Sequence, residues 1–169
     1  MSVTDAQLQQ MASRLAEQLQ ARNWQLTTAE SLTGGWIAKV CTELAGSSAW
    51  FDGAFVTYSP QAKQSMLGLT SELLQDAGIV SEAVAAAMAR GALQRSQASI
   101  SLAVTGLAGP GGGTALIPVG TVCCACMTCD QLARNQPPHV TTWHFQGERD
   151  VIRRQTVHHS LLRLCDILA

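Results

Sequence analysis

Trp24-Gln25-Leu26-Thr27-Thr28-Ala29-Glu30-Ser31-Leu32-Thr33-Gly34-Gly35 is the stretch that decides the fold. Trp24 to Ala29 reads as a strand, and Gly34 and Gly35 open a helix that runs to about Leu44. In open α/β sheets, ligands bind where strands end at their carboxyl edge. Ser31 therefore falls beside the unpaired N–H groups and the positive end of a helix start. A nucleophile in that place would also find oxyanion donors. The competing reading is that Ser31 or Thr33 caps the helix.

Working outward, Leu8, Met11, Ala12, Leu15, Ala16 and Leu19 recur at three- and four-residue steps, so Asp5 to Ala21 is an amphipathic helix that Thr4 can cap. Ala49 to Tyr58 reads as a strand, and Pro60 opens a helix carrying Lys63 and Met66. Ser71 to Ala77 is a short helical segment, and Ser81 to Arg95 is an Ala-rich helix without a full capping box. Ser99 to Thr105 is an apolar strand, followed by a glycine loop from Gly106 to Gly113. Gly120 to Met127 is a continuous apolar run, fit for a strand buried on both faces. Asp130 to His139, with two prolines, reads as an exposed loop. Val140 to Phe145 alternates as a strand, and Arg149 to Leu168 is a closing amphipathic helix.

Strands alternating with helices predict an α/β protein whose parallel core sheet is covered on both sides. The two late strands can pair antiparallel and make the sheet mixed. No repeat or linker divides residues 1 to 169, so one domain is expected.

Composition narrows the functional classes. With 47% hydrophobic and 14% charged residues, the chain has ample core and an apolar surplus that points to a homo-oligomer. A formal net charge of −1 gives no sign of nucleic-acid or membrane binding. No run approaches the roughly 18 apolar residues of a membrane helix. Met1 to Gln10 is polar and unlike a signal peptide, so the six cysteines are expected to be reduced thiols in the cytoplasm.

Three further segments carry chemistry. In Tyr58-Ser59-Pro60-Gln61-Ala62-Lys63, a strand again enters a helix. A buried lysine loses its charge more readily and can serve as the base that a serine nucleophile needs. A solvated surface lysine is the bland alternative. Thr105-Gly106-Leu107-Ala108-Gly109-Pro110-Gly111-Gly112-Gly113 ends in no Gly-Lys-Ser/Thr and is not a phosphate-binding P-loop. So many glycines cost entropy that backbone closely lining a ligand would justify; a mobile surface loop is the alternative. Arg149, Arg153 and Arg154, at the start of the last helix, read either as a phosphate clamp or as ion pairs with Glu148 and Asp150. Cys123, Cys124 and Cys126 lie in one strand, with Cys124 and Cys126 on one face, and read as core residues rather than a zinc site. His158 and His159 are adjacent on a helix and face apart, so no metal is expected there either. These segments fit hydrolysis or anion binding at one pocket and name no substrate.

Ala29 to Gly35, Tyr58 to Lys63, Thr105 to Gly113 with Pro118 to Thr121, and Gly147-x-Arg149-x-x-x-Arg153 together resemble the motifs of the CinA C-terminal domain family, in order, over nearly the whole chain. The resemblance implies a three-layer α/β/α sandwich with a mixed, mostly parallel sheet. It implies a nicotinamide-nucleotide amidase, hydrolysing nicotinamide mononucleotide to nicotinate mononucleotide and ammonia without metal or cofactor. By position, Ser31 is the nucleophile and Lys63 the general base, with Tyr58 beside Lys63 and sharing its hydrogen bonding. Glu30, Thr33, Gly34, Gly35, Thr105 and Gly106 are implied to line the substrate pocket, backbone N–H groups around Gly34 and Gly35 to hold the oxyanion, and Arg149 to meet the phosphate. Two departures stand out. Leu32 replaces a cysteine common in relatives, and Ala115, Leu116 and Ile117 replace a polar stretch. A catalytically silent nucleotide-binding relative, or a hydrolase of another small amide, is the competing reading.

Overall fold

The computed structural model describes residues 3–169. In chain order the elements are α1 (Asp5–Ala21), β1 (Leu26–Glu30), α2 (Trp36–Thr42), β2 (Phe51–Val56), α3 (Pro60–Leu67), α4 (Ser71–Ala77), α5 (Glu82–Gln94), β3 (Ile100–Gly106), β4 (Thr121–Thr128), α6 (Cys129–Ala133), β5 (His139–His144) and α7 (Arg149–Ile167). The strands form one sheet in the order β2-β1-β3-β4-β5. β1 pairs in parallel with β2 and β3, while β4 pairs antiparallel with β3 and β5. Only β4 runs against the others, so the sheet is mixed with one dominant direction.

Side chains alternate across a strand, and that alternation builds two cores. Leu26, Leu102, Val104 and Cys124 face α1, α2 and α7, where they meet Leu15, Ile37 and Leu161. Ala29, Ala103, Cys123 and Met127 face the opposite way, against Leu67, Leu74 and Met88 of α3, α4 and α5. The result is the expected three-layer sandwich. β3 and β4 are buried on both faces, which is why their sequences are continuous apolar runs. Cys124 and Cys126 pack on one side and Cys123 on the other, all as core residues.

Local signals account for most boundaries. Thr4 and Gln7 form a reciprocal capping box on α1. Ser59 caps α3 ahead of Pro60, and Ser81 accepts from the Val84 N–H at the start of α5. Three expectations need correction. Gly34 and Gly35 precede α2 rather than begin it: their φ values of 61° and 91° lie where glycine is favoured, and the helix starts at Trp36. β2, Phe51–Val56, is shorter at both ends than Ala49 to Tyr58: Ser47–Ala49 closes a 3-10 turn before it, and the Thr57 N–H makes a last bond to Glu30 O of β1 just past its end. α6 falls inside the stretch expected to be a loop, nucleated by a Thr128–Gln131 capping box.

From β1 the chain crosses one face through α2 to reach β2. It then crosses the other face through α3, α4 and α5 to reach β3, on the far side of β1. The carboxyl end of β1 is thus a topological switch point, where such sheets open a crevice. β4 begins and β5 ends at this edge, so the segments after β1, β2 and β3 and the start of α7 converge there. None of the helices in the described residues is long and apolar enough to cross a membrane.

Candidate active site

Strand alternation sends Glu30 and Ser31 in opposite directions. Glu30 turns into the α2 layer and is fully buried. Its Oε2 accepts from the Gly35 and Ile37 N–H groups, both at 3.0 Å, and from Thr33 Oγ1 at 2.7 Å. Its Oε1 accepts from the Ala38 N–H at 2.9 Å and Thr28 Oγ1 at 3.2 Å. The N-cap of α2 is Gly35, which has no side chain, and the Glu30 carboxylate takes that work, its charge suited to the helix's positive end. Glu30 is not among the residues lining the cavity beside Ser31. Glu30→Ala would orphan three buried or half-buried N–H groups at about 1–3 kcal/mol each. The expected result is a loss of at least about 3 kcal/mol of unfolding free energy, read from a urea titration.

Ser31 faces the α3 layer. Its own N–H continues the sheet by donating to Val104 O at 3.1 Å, and its side chain is left free of capping duty. Lys63 Nζ lies 2.9 Å from Ser31 Oγ and donates to Thr57 O at 2.7 Å. Side chains on a helix tilt toward its N-terminus, so Lys63, in the first turn of α3, reaches back to the segment that enters the helix. Lys63 is fully buried, which excludes the surface-lysine reading. Burial pushes its pKa down from 10.5 to about 8.

The pair lies beside a cavity of about 280 Å³. Ser31 and Leu32 form one wall, and Thr105, Gly106 and the glycine loop another. Ile79 and Val80, between α4 and α5, add an apolar side, and Tyr58 and Arg149 stand at the mouth. Thr105 Oγ1 donates to Ile79 O at 2.9 Å and ties these walls together. Gly106 has no room for a side chain, since a Cβ there would come within 2.7 Å of Thr121 O.

Several expected roles change. Tyr58 is 62% exposed, and its hydroxyl accepts from Arg149 Nη2 at 3.0 Å. The group that shares the hydrogen bonding of Lys63 is the Thr57 carbonyl. Arg149 also donates to Gly109 O at 2.8 Å, joining the glycine loop to the Tyr58 segment. Thr33, Gly34 and Gly35 border a separate depression with Trp36, Lys39 and Arg153. The Gly34 N–H donates to Ser31 O at 3.0 Å and the Gly35 N–H to Glu30, so neither is free for an oxyanion. The Leu32 and Thr33 N–H groups donate to no atom of the described residues. The arginine cluster divides: Arg149 and Arg153 hold backbone carbonyls, whereas Arg154 pairs with Asp5 and Asp150.

Leu32 is buried and borders the cavity, whereas Ala115, Leu116 and Ile117 sit in a surface turn closed by Thr114 N–H and Ile117 O, outside its lining.

Residues 8–168 match the sequence profile of the CinA C-terminal domain. The chain belongs to the CinA C-terminal domain family. Among its CinA-family relatives is the nicotinamide-nucleotide amidohydrolase PncC of Shigella flexneri, 46% identical over 164 residues, or 96% of this chain and 95% of the relative. The protein of the same name from Escherichia coli K12 is 44% identical over the same shares. The crystal structure of the competence/damage inducible protein CihA from Agrobacterium tumefaciens superimposes with a TM-score of 0.88 at 40% identity, covering 99% of each chain.

Two parts of this CinA-family site escaped the sequence, and a third was read only in part. Thr57 acts through its carbonyl, which every residue possesses. Ile79 and Val80 come from a connection with no motif. Arg153 did carry a signal, its place four residues after Arg149, and gave no hint of its partners.

Proposed function

We propose that this chain is a nicotinamide-nucleotide amidohydrolase that works through Ser31 and Lys63. The observation that carries the mechanism is the 2.9 Å approach of a fully buried lysine amine to the Ser31 hydroxyl beside an open cavity. The names of close, full-length relatives support the substrate.

Neutral Lys63 accepts the Ser31 proton as Oγ attacks the carboxamide carbon, while Thr57 O keeps the amine aimed. The free N–H of Leu32, next after the nucleophile, and that of Thr33 receive the developing oxyanion. Protonated Lys63 returns the proton to the departing nitrogen and ammonia leaves. Water, deprotonated by the same amine, then cleaves the Ser31 ester and releases the nicotinate nucleotide. Ile79 and Val80 give the pyridine ring an apolar wall, and Arg149 at the mouth offers its remaining N–H groups to the phosphate.

The test is ammonia release from nicotinamide mononucleotide by the purified protein. Release that depends on Ser31 supports the reading. Binding without ammonia marks a silent nucleotide-binding protein, and release from other small amides alone marks a different amidase. Arg149→Met is expected to raise KM by about tenfold with kcat within about threefold, read from steady-state kinetics.

A cytoplasmic home fits six free cysteines, five of them buried. A homo-oligomer fits the low charge and the exposed apolar side chains of Val56, Met66 and Leu116. A monomeric mass by light scattering would overturn that second point.

A further inference from the structure

We infer that Arg153 is a positioning residue for the hydrolysis, acting through the backbone of the nucleophile turn; the inference rests on the Ser31 reading above. Arg153 Nε donates to Leu32 O at 2.9 Å, and Nη2 donates to Thr33 O at 3.0 Å. These are the carbonyls of the two residues that follow the nucleophile. The guanidinium is a rigid fork, so two simultaneous bonds fix direction as well as distance. Its own position is set by Trp36, whose ring centroid lies 5.2 Å from Cζ.

A peptide unit is planar and trans, so its C=O and N–H point in opposite directions. Drawing Leu32 O toward Arg153 turns the Thr33 N–H to the other side, away from the depression that Arg153 and Trp36 border. Drawing Thr33 O the same way turns the Gly34 N–H toward Ser31 O, which it reaches at 3.0 Å. That bond closes the turn whose first residue is the nucleophile. Arg153 thus holds both the turn and the direction of an unpaired N–H. A charged donor on a carbonyl also polarises the peptide and strengthens its N–H as a donor. Arg153 does not itself line the cavity, which it reaches only through the Leu32 backbone, and among the described residues it has no hydrogen bond to Lys63, so its effect on the reaction is indirect.

Lysine offers one point charge and cannot bridge two carbonyls as the fork does. Arg153→Lys and Arg153→Met are therefore expected to lower kcat for ammonia release by about 10–100-fold with KM within about twofold. The pH profile should keep its inflection near 8, because Lys63 is untouched. The rate at which phenylmethanesulfonyl fluoride modifies Ser31 should fall in parallel, since sulfonylation also builds charge on an oxygen. That probe needs no nucleotide. Wild-type protein that is sulfonylated at Ser31 yet releases no ammonia from nicotinamide mononucleotide would sink the amidase reading and leave this one standing. Sulfonylation of either variant at the wild-type rate overturns the inference. So does a loss of kcat/KM that resides wholly in KM.

Discussion

Ser31→Ala is expected to reduce ammonia release from nicotinamide mononucleotide by at least about 10³-fold while leaving the fold intact. Among the described residues the side chain's one partner is Lys63, so deletion removes a single hydrogen bond, about 1 kcal/mol of stability. Nucleotide binding should survive, because Arg149, the glycine loop and the Ile79–Val80 wall are untouched. The variant decides between two uses of the same lysine. If Lys63 simply activates water for direct attack on the amide, the hydroxyl is dispensable and much of the rate persists. If Ser31 forms the ester, almost nothing remains. The measurement is a progress curve of ammonia under saturating nucleotide, beside a thermal melt in the presence of nucleotide to confirm binding.

The sequence displayed this site unevenly, for physical reasons. The Ser31 turn was legible because a strand, a hydroxyl and two glycines in succession signal a tight strand-to-helix passage. The two-faced core was legible because Gly120 to Met127 is apolar at consecutive positions. The direction of each side chain was less so. Glu30 and Ser31 are neighbours in one motif, and only the phase of the strand shows that one enters the α2 layer while the other meets α3. Glu30 therefore looks like a pocket residue in the sequence and proves to be the cap of α2. Tyr58 and Lys63 share a motif in the same way, yet Pro60 turns the chain between them. Tyr58 remains at the exposed mouth, and Lys63 is carried into the interior. The α6 helix was hidden by its length, since five residues followed by Pro137 and Pro138 carry too little periodicity to register.

Lys63→Met is expected to abolish ammonia release to the same extent as Ser31→Ala without lowering stability at neutral pH. Burial depresses the lysine's pKa from 10.5 to about 8. Between these values the unfolded chain binds the proton and the folded chain does not, so this residue's contribution to stability rises with pH across that window. Below pH 8 the folded protein carries the full cost of a buried ammonium, about 3 kcal/mol. Methionine removes that cost but leaves Thr57 O without its donor, a loss of about 1–3 kcal/mol. The balance runs from zero to about 2 kcal/mol in favour of the variant at pH 7, and wild type should gain on it as pH approaches 10. Denaturant titrations at the two pH values read the sign, and a variant markedly less stable than wild type at pH 7 would refute it. The same ionisation governs the rate. About a tenth of the enzyme holds a neutral Lys63 at pH 7, so wild-type kcat/KM should climb with pH and level off above about 8. A profile flat from pH 6 to 9 would mean that Lys63 is not the base. A stabilised, silent Lys63→Met variant would show that the fold tolerates this amine at a cost and that the reaction is what requires it.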